Sequence, residues 1–307
     1  MHKEILVVGS VNMDMLLMTP RLPQPGETMF SEKYFFNPGG KGANQVVAVS
    51  KLGGRGVFAG KVGNDDFAVS LRRTLEEYGV CCDFLTVSHT SPSGFAVIML
   101  EENGQNRIIV HPAANFDITK ADIEVAFKRD YMGMIIQFEI SPEIAIYACQ
   151  KAREKGIPII VDAGPPPSFS LEKIQGIEIL TPNETETTAI CGIELHTEGD
   201  YKNAAKIMAA QSGAKYVVLK LGAKGSCLYT NGEIRLFPAY DVKAVDSTAA
   251  GDAFTAAMAV QYLETGDIEK AITYATAAGA LTVTKPGAQQ SIPTKAEVEA
   301  FIRQSHK

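Results

Sequence analysis

Short apolar runs recur along this chain with helical patterns between them, and that alternation restricts the fold more than any other feature. The runs cover residues 5–8, 57–60, 134–138, 157–161, 177–180 and 217–219. A strand buried on both faces reads as a continuous apolar run, and helices between parallel strands serve as crossovers. The pattern therefore predicts an α/β fold, a three-layer α/β/α arrangement with a mostly parallel central sheet.

Two stretches break the rhythm, about 13–36 and 93–111. Both carry β-rich segments with Pro and Gly and no helix between them. In the second, apolar segments at 94–100 and 107–110 flank Glu102-Asn103-Gly104-Gln105-Asn106, a hairpin signal around an Asn-Gly turn. These stretches are expected to form a small sheet standing off the main body. Its apolar face needs cover, so it either closes over a ligand as a lid or pairs with a second copy. No internal repeat or long linker divides the chain, and residues 1–307 are expected to form a single domain with this lid inserted. Pro165-Pro166-Pro167 reads as a rigid loop leaving a strand that ends near Asp162.

The formal net charge is −6, from 29 Lys+Arg against 35 Asp+Glu. With no basic run of five or more, the chain lacks the electrostatic footprint of a nucleic-acid binder. Cys81, Cys82, Cys149, Cys191 and Cys227 show no CxxC spacing and read as reduced thiols. The apolar run at 5–8 gives way to Asn12 and Asp14, too short for a signal-peptide core, and no apolar stretch approaches a membrane span. A cytoplasmic protein without a membrane partner is the expectation.

Several well-known sites are absent. There is no G-x-x-x-x-G-K-[ST] and no G-x-S-x-G, and His2, His89, His111, His196 and His306 are too scattered for a zinc helix. Gly54-Arg55-Gly56-Val57-Phe58-Ala59 spells a dinucleotide fingerprint but leaves a helix for a strand, the reverse of the required context.

The strongest local signal is Asp246-Ser247-Thr248-Ala249-Ala250-Gly251-Asp252, followed by a small-residue helix. Small residues at 249–251 let backbone N–H groups approach an anion, and a helix start adds its positive dipole end. Asp252 beside such a site either accepts a proton from a nucleophile or simply caps the helix. In Gly39-Gly40-Lys41-Gly42-Ala43-Asn44-Gln45, glycines set Lys41 and Asn44 at another helix start, as a donor-rich pocket or an ordinary capped turn. Asn12 and Asp14 follow the first strand, where open parallel sheets bind ligands, though both residues also suit a plain turn. Asn183 and Glu186 in Thr181-Pro182-Asn183-Glu184-Thr185-Glu186 face one way on a helical turn, to hold hydrated Mg²⁺ or phosphate oxygens, or to cap the helix. Lys220-Leu221-Gly222-Ala223-Lys224-Gly225 either lets adenine lie against backbone or makes a tight hairpin turn.

Taken in order, these motifs are similar to those of the ribokinase group of the PfkB sugar kinases. The likeness spans nearly the whole chain: N-x-D at Asn12 and Asp14, P-G-E-T at 25–28, G-G-K-G-A-N-Q at 39–45, P-N-E-x-E at 182–186, L-G-x-x-G at 221–225, A-A-G-D at 249–252 and G-A-Q-x-S at 287–291. The resemblance implies an ATP-dependent sugar kinase with a β-sheet lid, dimeric through the lids. It implies that Asn12, Asp14, Gly40, Lys41, Asn44 and Glu139 surround the sugar and that Asp252 is the base. Ala249, Ala250 and Gly251 would form an anion hole for the transferred phosphoryl. Asn183, residues 220–225 and Thr276 would line the nucleotide, with Mg²⁺ bridging its phosphates and Glu186 in the water network around the metal. A monovalent-cation site would use the Asp246 carboxylate, the carbonyls of Thr248, Thr282, Lys285 and Gly287 and the Ser291 hydroxyl, an all-oxygen set that suits K⁺.

The chain departs from the family pattern in two places. Asp246-Ser247-Thr248 stands where Asp-Thr-Thr or Asp-Thr-Ile is commoner, and Lys220 stands where Thr is frequent. The complete sugar motifs favour ribose. The alternatives are a fructokinase, a deoxyribose or nucleoside kinase, and a non-catalytic sugar-binding protein on the same scaffold. Intact Asp252 argues against the last, and a dinucleotide-dependent oxidoreductase lacks its fingerprint.

Overall fold

A computed structural model describes residues 4–102 and 105–305. The expected Asn103-Gly104 turn lies outside the described residues, as do His2 and His306. The strands are β1 (Glu4–Val8), β2 (Asn12–Thr19), β3 (Lys33–Gly39), β4 (Arg55–Val62), β5 (Cys81–Val87), β6 (Gly94–Glu101), β7 (Asn106–His111), β8 (Gly133–Ile136), β9 (Ile159–Asp162), β10 (Ile179–Thr181), β11 (Tyr216–Lys220), β12 (Ser226–Thr230) and β13 (Glu233–Phe237). The helices are α1 (Lys41–Lys51), α2 (Asp66–Glu77), α3 (Lys120–Ala126), α4 (Pro142–Glu154), α5 (Glu184–Cys191), α6 (Glu198–Ser212), α7 (Ala250–Thr265), α8 (Ile268–Val283) and α9 (Lys295–Ser305).

A nine-stranded sheet runs β13-β12-β11-β10-β9-β8-β1-β4-β5. From β11 to β5 every pairing is parallel, and only the β11–β12 and β12–β13 pairings are antiparallel. Each apolar run named from sequence falls in or against one of the parallel strands, and the fold class is the one expected. The alternation of strand side chains divides the core in two. Ile5, Val7, Ile135, Ile160 and Val218 point to one face, where α1, α2, α7, α8 and α9 pack. Leu6, Val8, Met134, Ile136, Val161 and Leu219 point to the other, under α3, α4 and α6.

The sequence pattern passed over β5, β12 and β13. All three lie at or next to a sheet edge, and β5 and β13 are only partly buried, so neither carries the unbroken apolar run of a central strand. Among the described residues, no helix is long and apolar enough to cross a membrane.

A second sheet, ordered β3-β2-β6-β7, stands apart. It is mixed: β2 runs parallel to β6, while β3 and β7 pair antiparallel at the edges. Its base is fastened to α2 by a run of aromatic rings, Phe36 to Phe67 at 5.6 Å and Phe67 to Phe95 at 5.8 Å. Further out, Tyr34, Phe35, Ile108 and Ile109 are exposed. The strand β2 follows β1 almost directly and β3 leads into α1, so the small sheet and the carboxyl ends of the central strands share one cleft.

Candidate active site

The cleft is built where the central strands end. The segment after β1 supplies Ser10 and Asn12, and the one after β8 supplies Glu139. Asp162 is the last residue of β9, and Lys220 closes β11. Helices α1 and α7 add Lys41, Asn44, Gln45 and Asp252 from one face of the sheet.

Local geometry explains why α1 begins where it does. Gly40 is its first flanking residue, with φ 88° and no side-chain cap. A Cβ there would stand 2.9 Å from both the Asn12 nitrogen and the Val11 Cα, so only glycine lets the helix start this close to the β1–β2 crossover. The first amides of α1 are then met from outside the helix. Lys41 N–H donates to Glu139 Oε2 at 3.1 Å and Ala43 N–H to the Ser10 carbonyl at 2.9 Å. Ser10 Oγ also donates to Glu139 Oε2, at 2.5 Å, fixing that carboxylate at the helix mouth.

Asp252 lies in the first turn of α7 with only 5% of its surface exposed. Its carboxylate accepts from Asn44 Nδ2 at 2.9 Å and Gln45 Nε2 at 3.1 Å, with Lys41 Nζ 3.7 Å away. Burial pushes its pKa up to about 6; Lys41 opposes the rise, Asp162 adds to it and the Asn44 bond opposes it. Asp14, at the start of β2, is raised to about 7 by burial and then by the charges of Glu139 and Asp252. Burial alone would depress the Lys41 ammonium, but Asp162, Asp252, Glu186 and Glu139 together hold it well above its ordinary value. Asn12 is buried, and its Oδ1 accepts from Asn115 Nδ2 at 2.8 Å. One buried acceptor in this group, Asn44 Oδ1, has no protein partner. The structure thus gathers Asp14, Gly40, Lys41, Asn44, Glu139 and Asp252 into one polar cluster, with Asn12 buried beside it.

The residues named for the nucleotide come from the turn before α5, the end of β11 with the turn that follows it, and α8. Asn183 and Glu186 form a reciprocal capping box at the start of α5, so the capping use that the sequence left open is realised. Lys220 N–H donates to the Pro182 carbonyl at 2.8 Å, joining the end of β11 to this turn. Leu221 leads into a short 3₁₀ turn, Gly222–Lys224, that reverses the chain into antiparallel β12. Gly225 has φ 96°, and a Cβ on it would come within 2.0 Å of the Phe237 carbonyl. Lys224 Nζ lies 3.8 Å from Glu184. Thr276 is buried in α8 and its hydroxyl donates back to the Ile272 carbonyl at 2.8 Å. Ala249 and Ala250 open α7, Ala249 in the left-handed region at φ 60°.

The oxygens named for a monovalent cation belong to two segments that are tied together. Asp246 Oδ1 accepts from Thr248 N–H at 2.9 Å and Thr248 Oγ1 at 2.6 Å, and Oδ2 accepts from Gly287 N–H at 2.8 Å. Burial would raise the Asp246 carboxyl, but these bonds outweigh it and lower its pKa. The Thr282 carbonyl accepts from Lys285 N–H, and Ser291 Oγ donates to the Ala288 carbonyl. Lys285 turns its ammonium outward to Glu297 at 2.9 Å, leaving its carbonyl as the group of interest.

Sequence reasoning assigned no role to Asp162 or Gln45. Asp162 is fully buried and accepts from Lys220, Gln45 and Lys41. Burial would raise its carboxyl, yet Lys220 and Lys41 hold it below the usual carboxylate range. The rule that ligands gather at the carboxyl ends of parallel strands, already applied to Asn12 and Asp14, points equally to Asp162. Gln45 was inside a recognised motif, but only the fold shows its amide bridging two carboxylates.

An acid at an open helix mouth, beside a cluster of polar side chains and next to a second helix start, suits a phosphotransferase with an alcohol acceptor. The chain belongs to the pfkB family of carbohydrate kinases, whose sequence pattern it matches over residues 2–295. Among its relatives, the ribokinase of Bacillus subtilis is 36% identical over 98% of this chain and 99% of its own. The deoxyribokinase of Salmonella typhi is 30% identical over 97% and 98%. The structure of Arabidopsis thaliana ribokinase complexed with ribose and ATP superposes with a TM-score of 0.89 at 32% identity, covering 99% of both chains.

Proposed function

We propose that this protein is a ribokinase that transfers the γ-phosphoryl of ATP to the 5-hydroxyl of D-ribose, giving D-ribose 5-phosphate and ADP. The observation that carries the reading is Asp252: a buried carboxylate at the uncapped start of α7, raised to about 6 and therefore basic enough to take a proton near neutral pH. The hydroxyl gives its proton to Asp252 as its oxygen attacks the γ-phosphorus, and ADP leaves with the electron pair of the broken P–O bond. Negative charge growing on the phosphoryl oxygens meets the positive end of α7 and the amides of residues 249–251, of which Ala250 N–H exchanges its bond to the Ser247 carbonyl for the phosphoryl. Asp14, Lys41, Asn44 and Glu139 orient the sugar, with the unpartnered Asn44 Oδ1 ready to accept from a hydroxyl. Asn12, buried below them, completes the sugar pocket. Residues 220–225, Asn183 and Thr276 line the nucleotide.

Mg²⁺ belongs to this reading as the ion that would neutralise charge on the ATP phosphates. Glu186, at the start of α5, is the residue that would reach the ion through water. The oxygens at 246, 248, 282, 285, 287 and 291 are the residues that would hold K⁺. The bonds that already tie Asp246 to Thr248 and Gly287 support that assignment. K⁺ would brace the segment entering α7 without touching substrate, so turnover should be higher in K⁺ than in Na⁺ at equal ionic strength. Equal rates would remove the site.

The whole chain, 1–307, acts in this reading as one kinase unit, with the small sheet as a lid. The lid's exposed Tyr34, Phe35, Ile108 and Ile109 support pairing with the lid of a second copy. The five unpaired cysteines fit a reducing cytoplasm.

The deoxyribokinase relative keeps a second sugar in view. A coupled-enzyme screen of ribose, 2-deoxyribose, fructose and nucleosides with Mg-ATP and K⁺ decides the point. Ribose should give the highest kcat/KM, and a preference for any other acceptor overturns the assignment while leaving the kinase class intact.

A further inference from the structure

Asp162 has no part in the chemistry just derived, yet three donors converge on its carboxylate. Oδ1 accepts from Lys220 Nζ at 2.9 Å, and Oδ2 accepts from Gln45 Nε2 at 2.8 Å and Lys41 Nζ at 3.3 Å. Gln45 and Lys41 are also two of the groups that reach Asp252, at 3.1 Å and 3.7 Å. Lys220 stands on the far side of this pair. A Cβ on Gly251 would lie 3.7 Å from its Nζ, which sets the ammonium over the first turn of α7.

Stability alone does not account for such an arrangement. Withdrawing three charged groups from water is costly, and buried ion networks are often no more stabilising than apolar side chains of the same volume. A lysine also loses rotamer freedom when held in one place, so fixing it in advance favours any step that needs it there.

We propose that Asp162 is a positioning residue for phosphoryl transfer: it clamps the Lys220 ammonium over the mouth of α7, where a γ-phosphate oxygen arrives, and anchors Lys41 between itself and Asp252. The proposal rests on the kinase reading. In that geometry Lys220 meets the terminal phosphate of ATP and has no equivalent partner in ADP. Asp162, sharing Lys41, keeps that cation from closing fully onto the base.

The test is the ratio of the Kd for ADP to the Kd for β,γ-imido-ATP, measured by calorimetry with Mg²⁺ for the wild type, Asp162→Asn, Lys220→Met and the double variant. Each single substitution should lower the ratio roughly 10-fold, the worth of one hydrogen bond to a charged group. The double variant should lose no more than Lys220→Met alone, because Asp162 acts through Lys220. Its melting temperature should recover relative to Asp162→Asn, in which Lys220 is left without its carboxylate, while the ratio and kcat stay low. If Asp162→Asn does not fold, the double variant against Lys220→Met decides: equal ratios support the clamp, and a further loss overturns it. Recovery of the ratio and kcat together with the melting temperature would reduce the pair to a structural one. Wild-type protein that phosphorylates no sugar sinks the kinase reading whatever the ratio does. An active wild type whose ratio neither substitution moves sinks the clamp alone.

Discussion

Helices α5 and α7 both begin at the carboxyl edge of the central sheet, yet they treat their first amides in opposite ways. At α5, Asn183 Oδ1 accepts from Glu186 N–H at 2.8 Å and Glu186 Oε2 accepts from Asn183 N–H at 2.8 Å, so the end is sealed by its own side chains. At α7 the residue in the cap position is Ala249, which has no acceptor, and it is held in the left-handed region at a cost of order 1 kcal/mol. The one acid in the first turn, Asp252, bonds across the cleft to Asn44 and Gln45. A sealed end is a structural joint. An end that forgoes its cap, accepts backbone strain and sets a carboxylate facing another helix is arranged for an anion and a proton that come from elsewhere.

The sharpest way to break this contrast is to remove the charge at α7. Asp252→Asn keeps the shape of the side chain but cannot take a proton, so kcat should fall roughly 10²–10⁴-fold with sugar and ATP still bound. A variant with near-normal turnover would return α7 to the status of an ordinary helix. The next effect in size comes from pH. The base works ionised, and kcat/KM should fall as pH drops through the values of about 7 for Asp14 and about 6 for Asp252. Below both values the loss steepens, and at pH 5 the Asp252 step alone removes about tenfold. Asp14→Asn should abolish the upper limb and leave the one near 6. A profile flat from pH 8 to 5 would mean that neither carboxyl is raised, and the electrostatic account of the cleft would fail.

How much of this was visible in the sequence follows from what each residue depends on. The central strands were legible because burial on both faces forces unbroken apolar runs, as in Ile159–Asp162. Edge strands such as Glu233–Phe237 were not, because half-exposed strands mix polar and apolar residues much as loops do. The helix mouths at Gly40 and Ala249 were legible because close backbone approach demands small residues, which cluster in sequence. Asp162 was not singled out: its meaning lies in Lys220 and Lys41, each brought to it from a different part of the chain. The choice between cap and ligand at Asn183 was also out of reach, since the same residues at the same spacing serve both uses.

That last ambiguity can be resolved by comparing two caps of the same kind, and the effects here are the smallest. Thr197 seals α6 with Asp200 in a reciprocal box like that of Asn183 and Glu186, but Thr197 is on the surface, whereas Asn183 also meets β11 through an isolated bridge to Lys220. Thr197→Ala and Asn183→Ala should each cost about 1 kcal/mol of stability, read as a shift of roughly 2–4 °C in the melting temperature. Only Asn183→Ala should also raise the KM for ATP, because Asn183 bridges to Lys220 at the start of the 220–225 segment proposed to line the nucleotide. Equal stability losses with an unchanged KM in both would make α5 a joint and nothing more. A rise confined to Asn183→Ala would show that a sealed helix end can lend its outer face to the ligand that the open end receives.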